Sequence, residues 1–214
     1  WMTISSMLFW ISTFDIGLGN GMRNYLTKAI SEKDLTLGRK YISTTLSLLS
    51  LIAITIGFLL LFPLFTINFN KFFNTFAISN VDLRNALFVA LAFTLLNFVT
   101  KNIGLIFVAM QKYAINDLLS VLGNLLSLAI IFILTKTTSP NLLYVIFTYT
   151  ATQCFVYLFA AIPLFTKYKE LRPSLNYFDR SLSRQIVGKG LGFFVIQISS
   201  CLVIFGAANI FITQ

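Results

Sequence analysis

The chain has 214 residues, of which 57% are hydrophobic and only 11% charged, with a mean hydropathy of +0.84. Charge this sparse cannot cover a water-facing surface, and an apolar content this high excludes disorder, so a membrane protein with its charges gathered in short loops is expected. With no His and only two Cys, both inside apolar runs, a disulfide framework, a zinc site, His-based acid–base chemistry and any other metal or cofactor are not expected.

Crossing a bilayer takes about 20 mostly apolar residues per helix. Six such spans are predicted in chain order: residues 1–19, 41–65 within the uncharged stretch 41–70, 85–110, 118–135, 142–165 and 191–213. None alternates with period two, so an all-α polytopic bundle is expected rather than a β-barrel. The chain opens and closes inside apolar runs, which reads as a piece of a longer polytopic protein.

Lysine and arginine exceed aspartate and glutamate, giving a net charge of +9. Twelve of the 16 basic residues fall in the loops after the first, third and fifth spans, three fall in the intervening loops, and Lys101 lies within a span. This alternation fits the positive-inside rule and places the basic loops in the cytoplasm, facing anionic inner-leaflet lipids. The excess of cations is therefore assigned to membrane topology, and no nucleic-acid partner is expected.

The first span ends in Gly17-Leu18-Gly19-Asn20-Gly21, preceded by Asp15 and followed by Arg23 and Asn24. A dinucleotide-binding loop would need a strand before it, and here a helix precedes it. A helix break at the cytoplasmic face is expected, with Arg23 or backbone groups offsetting the burial of Asp15. Either a hinge or gate, or a plain turn, satisfies this pattern.

In the third span, Ala90, Thr94, Asn97, Lys101 and Gly104 recur at helical spacing as one small, polar stripe. A charge at mid-bilayer costs about 2.5–3.5 kcal/mol, so Lys101 marks a candidate cavity wall. The alternative is snorkelling of its long stem toward the interface. The fourth span carries Ser120, Asn124 and Ser127, a stripe suited to close helix packing. In the fifth span, Tyr149, Gln153 and Tyr157 share a face that could line a polar cavity and contact sugar rings, or could bond to a neighbouring helix. Gln197 is a further cavity candidate in the sixth. Between these spans, the basic segment 167–190 holds Leu175, Phe178 and Leu182 among Arg180 and Arg184, compatible with an amphipathic surface helix or an ordinary linker.

Trp1-Met2-Thr3, Trp10, the run Phe14-Asp15-Ile16-Gly17-Leu18-Gly19-Asn20-Gly21-Met22-Arg23-Asn24 and Arg39-Lys40-Tyr41-Ile42-Ser43-Thr44 together resemble the second helix and following loop of the polysaccharide-biosynthesis (O-antigen) flippases. These belong to the multidrug/oligosaccharidyl-lipid/polysaccharide exporter superfamily. Phe194-Val195-Ile196-Gln197-Ile198 is similar to the start of that family's seventh helix. The resemblance implies helices two to seven of a transporter of twelve or more helices in two bundles. Residues 1–166 would form most of the N-terminal bundle, 167–190 the cytoplasmic connection and 191–214 the first helix of the C-terminal bundle.

It further implies a bacterial inner-membrane protein, not an enzyme, that moves a polyprenyl-pyrophosphate-linked oligosaccharide between leaflets, alongside polysaccharide polymerase or ligase machinery. On that reading Lys101 would attract the pyrophosphate, with Arg23 at the entrance, while Thr94, Asn97, Tyr149, Gln153, Tyr157 and Gln197 would line the sugar path. Ala207-Ala208-Asn209 departs from the Thr-Asp-Asn expected late in the seventh helix. Rival readings are a drug/cation antiporter of the same superfamily, a membrane-embedded transferase and a non-transporting scaffold. No ATP-binding motif is present, so direction would come from an ion gradient or from consumption of product.

Overall fold

A computed structural model describes residues 17–72, 79–138 and 141–212, with side chains described as far as residue 200. The described residues form helices α1 (Leu18–Ser31), α2 (Leu35–Thr66), α3 (Phe69–Phe72), α4 (Asn80–Thr100), α5 (Asn102–Ala109), α6 (Tyr113–Thr137), α7 (Leu142–Lys167) and α8 (Arg180–Ile212). Two 3-10 turns, Lys169–Leu171 and Leu175–Tyr177, lie between α7 and α8.

The helix boundaries follow local chemistry. Asp34 caps α2 by accepting from the Leu37 N–H and the Thr36 hydroxyl. Ser79 caps α4, accepting from the Asp82 N–H while donating to its carboxylate. The Asn141 side chain accepts from Leu143 at the start of α7. Pro63 and Pro163 sit in the last turns of α2 and α7, where little helix remains to disrupt.

Among the described residues, four helices are long and apolar enough to cross a membrane: Leu35–Thr66, Asn80–Ala109 taken through the junction at Lys101, Tyr113–Thr137 and Leu142–Lys167. They coincide with the second to fifth predicted spans. Most of the first predicted span, including Asp15, lies outside the described residues. The helix carrying the sixth, α8, begins at Arg180, ahead of the predicted span. Arg184 and Lys189 lie on this leading part of α8, before the apolar run that starts at residue 191.

α7 packs between α4 and α6, α2 packs between α1 and α4, and α8 lies against α1 and α2. One core cluster joins Met22, Leu26, Ile42, Ile106, Tyr157 and Leu171 at the end carrying the basic loops. Leu64, Phe69, Leu83, Ala86, Ala90 and Ile146 close the opposite end of α2, α4 and α7. Outward-facing Leu51, Phe58, Phe62, Leu125, Phe132 and Phe159 are exposed, as suits helices whose solvent is hydrocarbon.

The segment between α7 and α8 is neither a surface helix nor a free linker. Its two turns are strapped along the first turns of α2. Arg39 donates from Nε to the Arg172 carbonyl at 2.7 Å, and its guanidinium stands 4.0 Å from the centre of the Tyr177 ring. The Ser174 and Asp179 N–H groups donate to the hydroxyls of Ser43 and Thr44. Lys40 pairs with the Asp179 carboxylate at 3.6 Å. Leu171 is buried against Gly38, whereas Leu175 is 80% exposed and Leu182 belongs to α8.

The carboxyl of Asp179 is held below its ordinary range, first by the Ser181 hydroxyl and N–H that donate to it and then by Lys40. A lowered value means that the ionised strap is favoured above the usual carboxylate range and weakens as pH falls through the lowered one. Asp179→Asn is expected to speed hydrogen exchange of residues 172–182 at neutral pH. In the wild type the same acceleration, corrected for intrinsic exchange, is expected only on strong acidification.

Candidate functional site

Gly17 adopts the left-handed conformation (φ 64°) and starts α1, while the segment before it, on which the predicted break also depends, lies outside the described residues. A Cβ at Gly17 would run into the Gly190 carbonyl, and one at Gly21 would come within 2.8 Å of the Ile186 carbonyl. The glycine run thus lets α1 meet the backbone of α8 directly. Gly19 faces the other way, onto the side chain of Asn102. Arg23 lies 6.0 Å from the Phe193 ring centre across the α1–α8 contact, and Asn24, beside it on α1, is partly exposed.

Lys101 stands at the junction of α4 and α5. Its N–H still donates to the Asn97 carbonyl, but its own carbonyl accepts from Gly104, one residue early for an α-helix. Its ammonium lies 5.7 Å from the Phe98 ring centre, and the residue is half-buried. The rest of the stripe is largely engaged in packing. Ala90 is in the far core cluster, Thr94 is buried, and Gly104 lies against Asn116 and Tyr157. The Asn97 side-chain oxygen is buried and accepts no hydrogen bond among the described residues.

Asn102 is fully buried and was not distinguished by charge or spacing. Its amide nitrogen donates to the Phe98 and Val99 carbonyls, tying the junction together from inside. The available signal was an amide one residue beyond an intramembrane lysine.

The Tyr149, Gln153 and Tyr157 face is divided. Tyr149 is exposed, Gln153 donates to the Asn124 side chain of α6 at 2.7 Å, and Tyr157 is buried in the core beside Gly104. On α6, Ser127 is buried and the neighbouring Gly123 is covered by Gln153, while Ser120 is partly buried and Asn124 exposed. Gln197 is partly buried, with a side-chain oxygen that accepts no hydrogen bond among the described residues. The side chains of Ala207, Ala208 and Asn209 lie outside the described residues.

A hollow runs along the opposite face of α4. A groove of about 520 Å³ is bounded by Ser43, Ser47, Ser50 and Val99 and capped by Pro173–Leu175. It adjoins a second hollow of about 460 Å³ between Gly57, Leu61, Ala92 and Leu96, the two sharing Ser50, Ile54 and Val99. Leu95, Leu96 and Val99 lie roughly half a helical turn around α4 from Thr94, Asn97 and Lys101. The serines recur at i, i+4 and i+7 on α2, a periodicity present in the sequence but submerged in an uncharged run.

No protein-family model matches the chain. No curated protein matches it. A solved structure described as the outward-facing conformation of a multidrug resistance MATE family transporter of the MOP superfamily is similar over 95% of this chain, with 21% identity and a TM-score of 0.69. The matched region is 46% of that transporter's chain, so the present chain spans about half its length. The likeness shows the fold: an all-α polytopic bundle arranged like part of a membrane transporter.

Proposed function

We propose that the chain is part of a membrane exporter that works by alternating access and carries an anionic amphipath, a polyprenyl-pyrophosphate-linked oligosaccharide. The observation supporting the exporter is the similarity along nearly the whole chain to a transporter described in an outward-facing conformation. The cargo's charge is inferred from the spans. Among the four apolar spans, Lys101 is the charged side chain furthest from the ends of its span, and Asp82 and Asp117 sit near the beginnings of α4 and α6.

A cationic drug would call for carboxylates along its route, and an anionic head group calls for the reverse. Sugar hydroxyls cannot cross hydrocarbon unpaired, and acceptors such as Asn97 and Gln197 suit them. Residues preceding the strap would belong to one bundle and α8 to the next, with the basic loops against anionic lipids of the inner leaflet.

In proteoliposomes holding the intact protein, a polyprenyl-pyrophosphate oligosaccharide should become accessible to an external glycan probe, and Lys101→Ala should abolish this at unchanged protein level. Wild-type flipping by Lys101→Ala would remove the role assigned to the lysine. Proton-driven uptake of cationic dyes without flipping would establish the antiporter reading instead.

A further inference from the structure

The α1–α8 contact holds two cation–π pairs that run in opposite directions across it. Arg23 of α1 lies against the Phe193 ring of α8, and Lys189 of α8 lies 5.6 Å from the centre of the Tyr25 ring of α1. Tyr25 is itself stacked on Tyr41 of α2 at 5.1 Å and 15°, so the Lys189 contact continues into the body of the bundle. Between the two pairs, Gly21 meets the backbone of Ile186 and Gly190, and the Ile186 side chain is fully buried. Among the described residues, neither Arg23 nor Lys189 is within ion-pair distance of a carboxylate.

A guanidinium or ammonium held by a ring quadrupole, not by a counter-ion, is bound weakly and keeps a strong affinity for anions. An anionic group arriving at this end of the molecule would draw the two cations from their rings, leaving the contact to the glycine backbone and to the apolar packing of Leu182 and Ile186 with Leu18 and Tyr41. We infer that Arg23–Phe193 and Lys189–Tyr25 form a reciprocal latch that keeps α1 and α8 together at the basic end of the molecule, and that a pyrophosphate group releases it. The proposal rests on the alternating-access reading. It adds what that reading lacks, a means by which the head group of the cargo opens its own entrance.

The test reads latch opening apart from transport. Ile186→Cys, in a background carrying Cys154→Ser and Cys201→Ser, is placed in inside-out vesicles holding the intact protein and treated with a membrane-impermeant maleimide. Labelling should be slow and should rise several-fold on adding inorganic pyrophosphate at constant ionic strength. Combining Tyr25→Leu with Phe193→Leu should give fast labelling without pyrophosphate. Combining Arg23→Gln with Lys189→Gln should remove the response to it.

Labelling of Ile186→Cys that ignores pyrophosphate overturns the latch, whether or not the ring variants fold. If pyrophosphate accelerates labelling and no oligosaccharide crosses in proteoliposomes, the latch stands and the cargo assignment falls. If oligosaccharide crosses while labelling ignores pyrophosphate, transport stands without the latch.

Discussion

Gly17→Ala is expected to lower stability by roughly 2–5 kcal/mol, combining the cost of a left-handed alanine with that of overpacking against a backbone. The Gly190 carbonyl and the Phe194 N–H occupy the space a methyl would need, and main chain of a long helix yields less readily than a side-chain tip. Thermal unfolding in detergent should show the loss directly. Gly188→Ala supplies the contrast within α8. A methyl there meets open space, so the gain in helix propensity of up to about 1 kcal/mol should leave stability equal or slightly raised. Equal melting temperatures for the two variants would mean that α1 and α8 are not in backbone contact.

Gly19→Ala should be nearly as damaging, at about 1–3 kcal/mol, for a different reason. Its methyl would strike the side chain of Asn102, which is fully buried and committed through its nitrogen to the Phe98 and Val99 carbonyls. Asn102→Ala alone loses those bonds, about 1 kcal/mol. The double variant should be more stable than the sum of the two changes predicts, by about 1–3 kcal/mol, because the second change vacates the nearest space and leaves only the tip of Leu105 to move aside. Strict additivity in the unfolding free energies would show that α1 does not rest on the α4–α5 junction.

The features legible in the sequence were those set by energy differences large compared with local context. Gaps between charges located α2, α4 with α5, α6 and α7 to within about two helical turns, because a charge in hydrocarbon is costly enough to delimit a span. The glycine run coincides with the left-handed start of α1 at Gly17, since few other residues accept that backbone geometry. Lys101 coincides with the α4–α5 junction. Faces were harder to read. The stripe through Ala90, Thr94 and Gly104 is as compatible with helix contact as with a cavity, because small residues serve both, and only the positions of α6 and α7 decide which neighbours it meets.

The segment after α7 was opaque for a related reason. Its partners are the hydroxyls of Ser43 and Thr44 and the side chains of Arg39 and Lys40, more than 130 residues earlier for the hydrogen bonds, and nothing local in residues 168–179 specifies them. Lys189 and Phe193 likewise look like ordinary members of a basic, apolar helix until Tyr25 and Arg23 are placed opposite them.

The strap at Asp179 also has a mechanical meaning. It pins the root of α8 to α2 through Thr44 and Lys40, one residue before a helix of 33 residues begins. At 1.5 Å per residue that helix is a rod about 50 Å long. With its root serving as a fulcrum, a tilt of about 10° displaces the far tip by roughly 9 Å. A tether of a few hydrogen bonds and one ion pair at the root of such a rod would turn a modest rotation there into a wide excursion of its far tip.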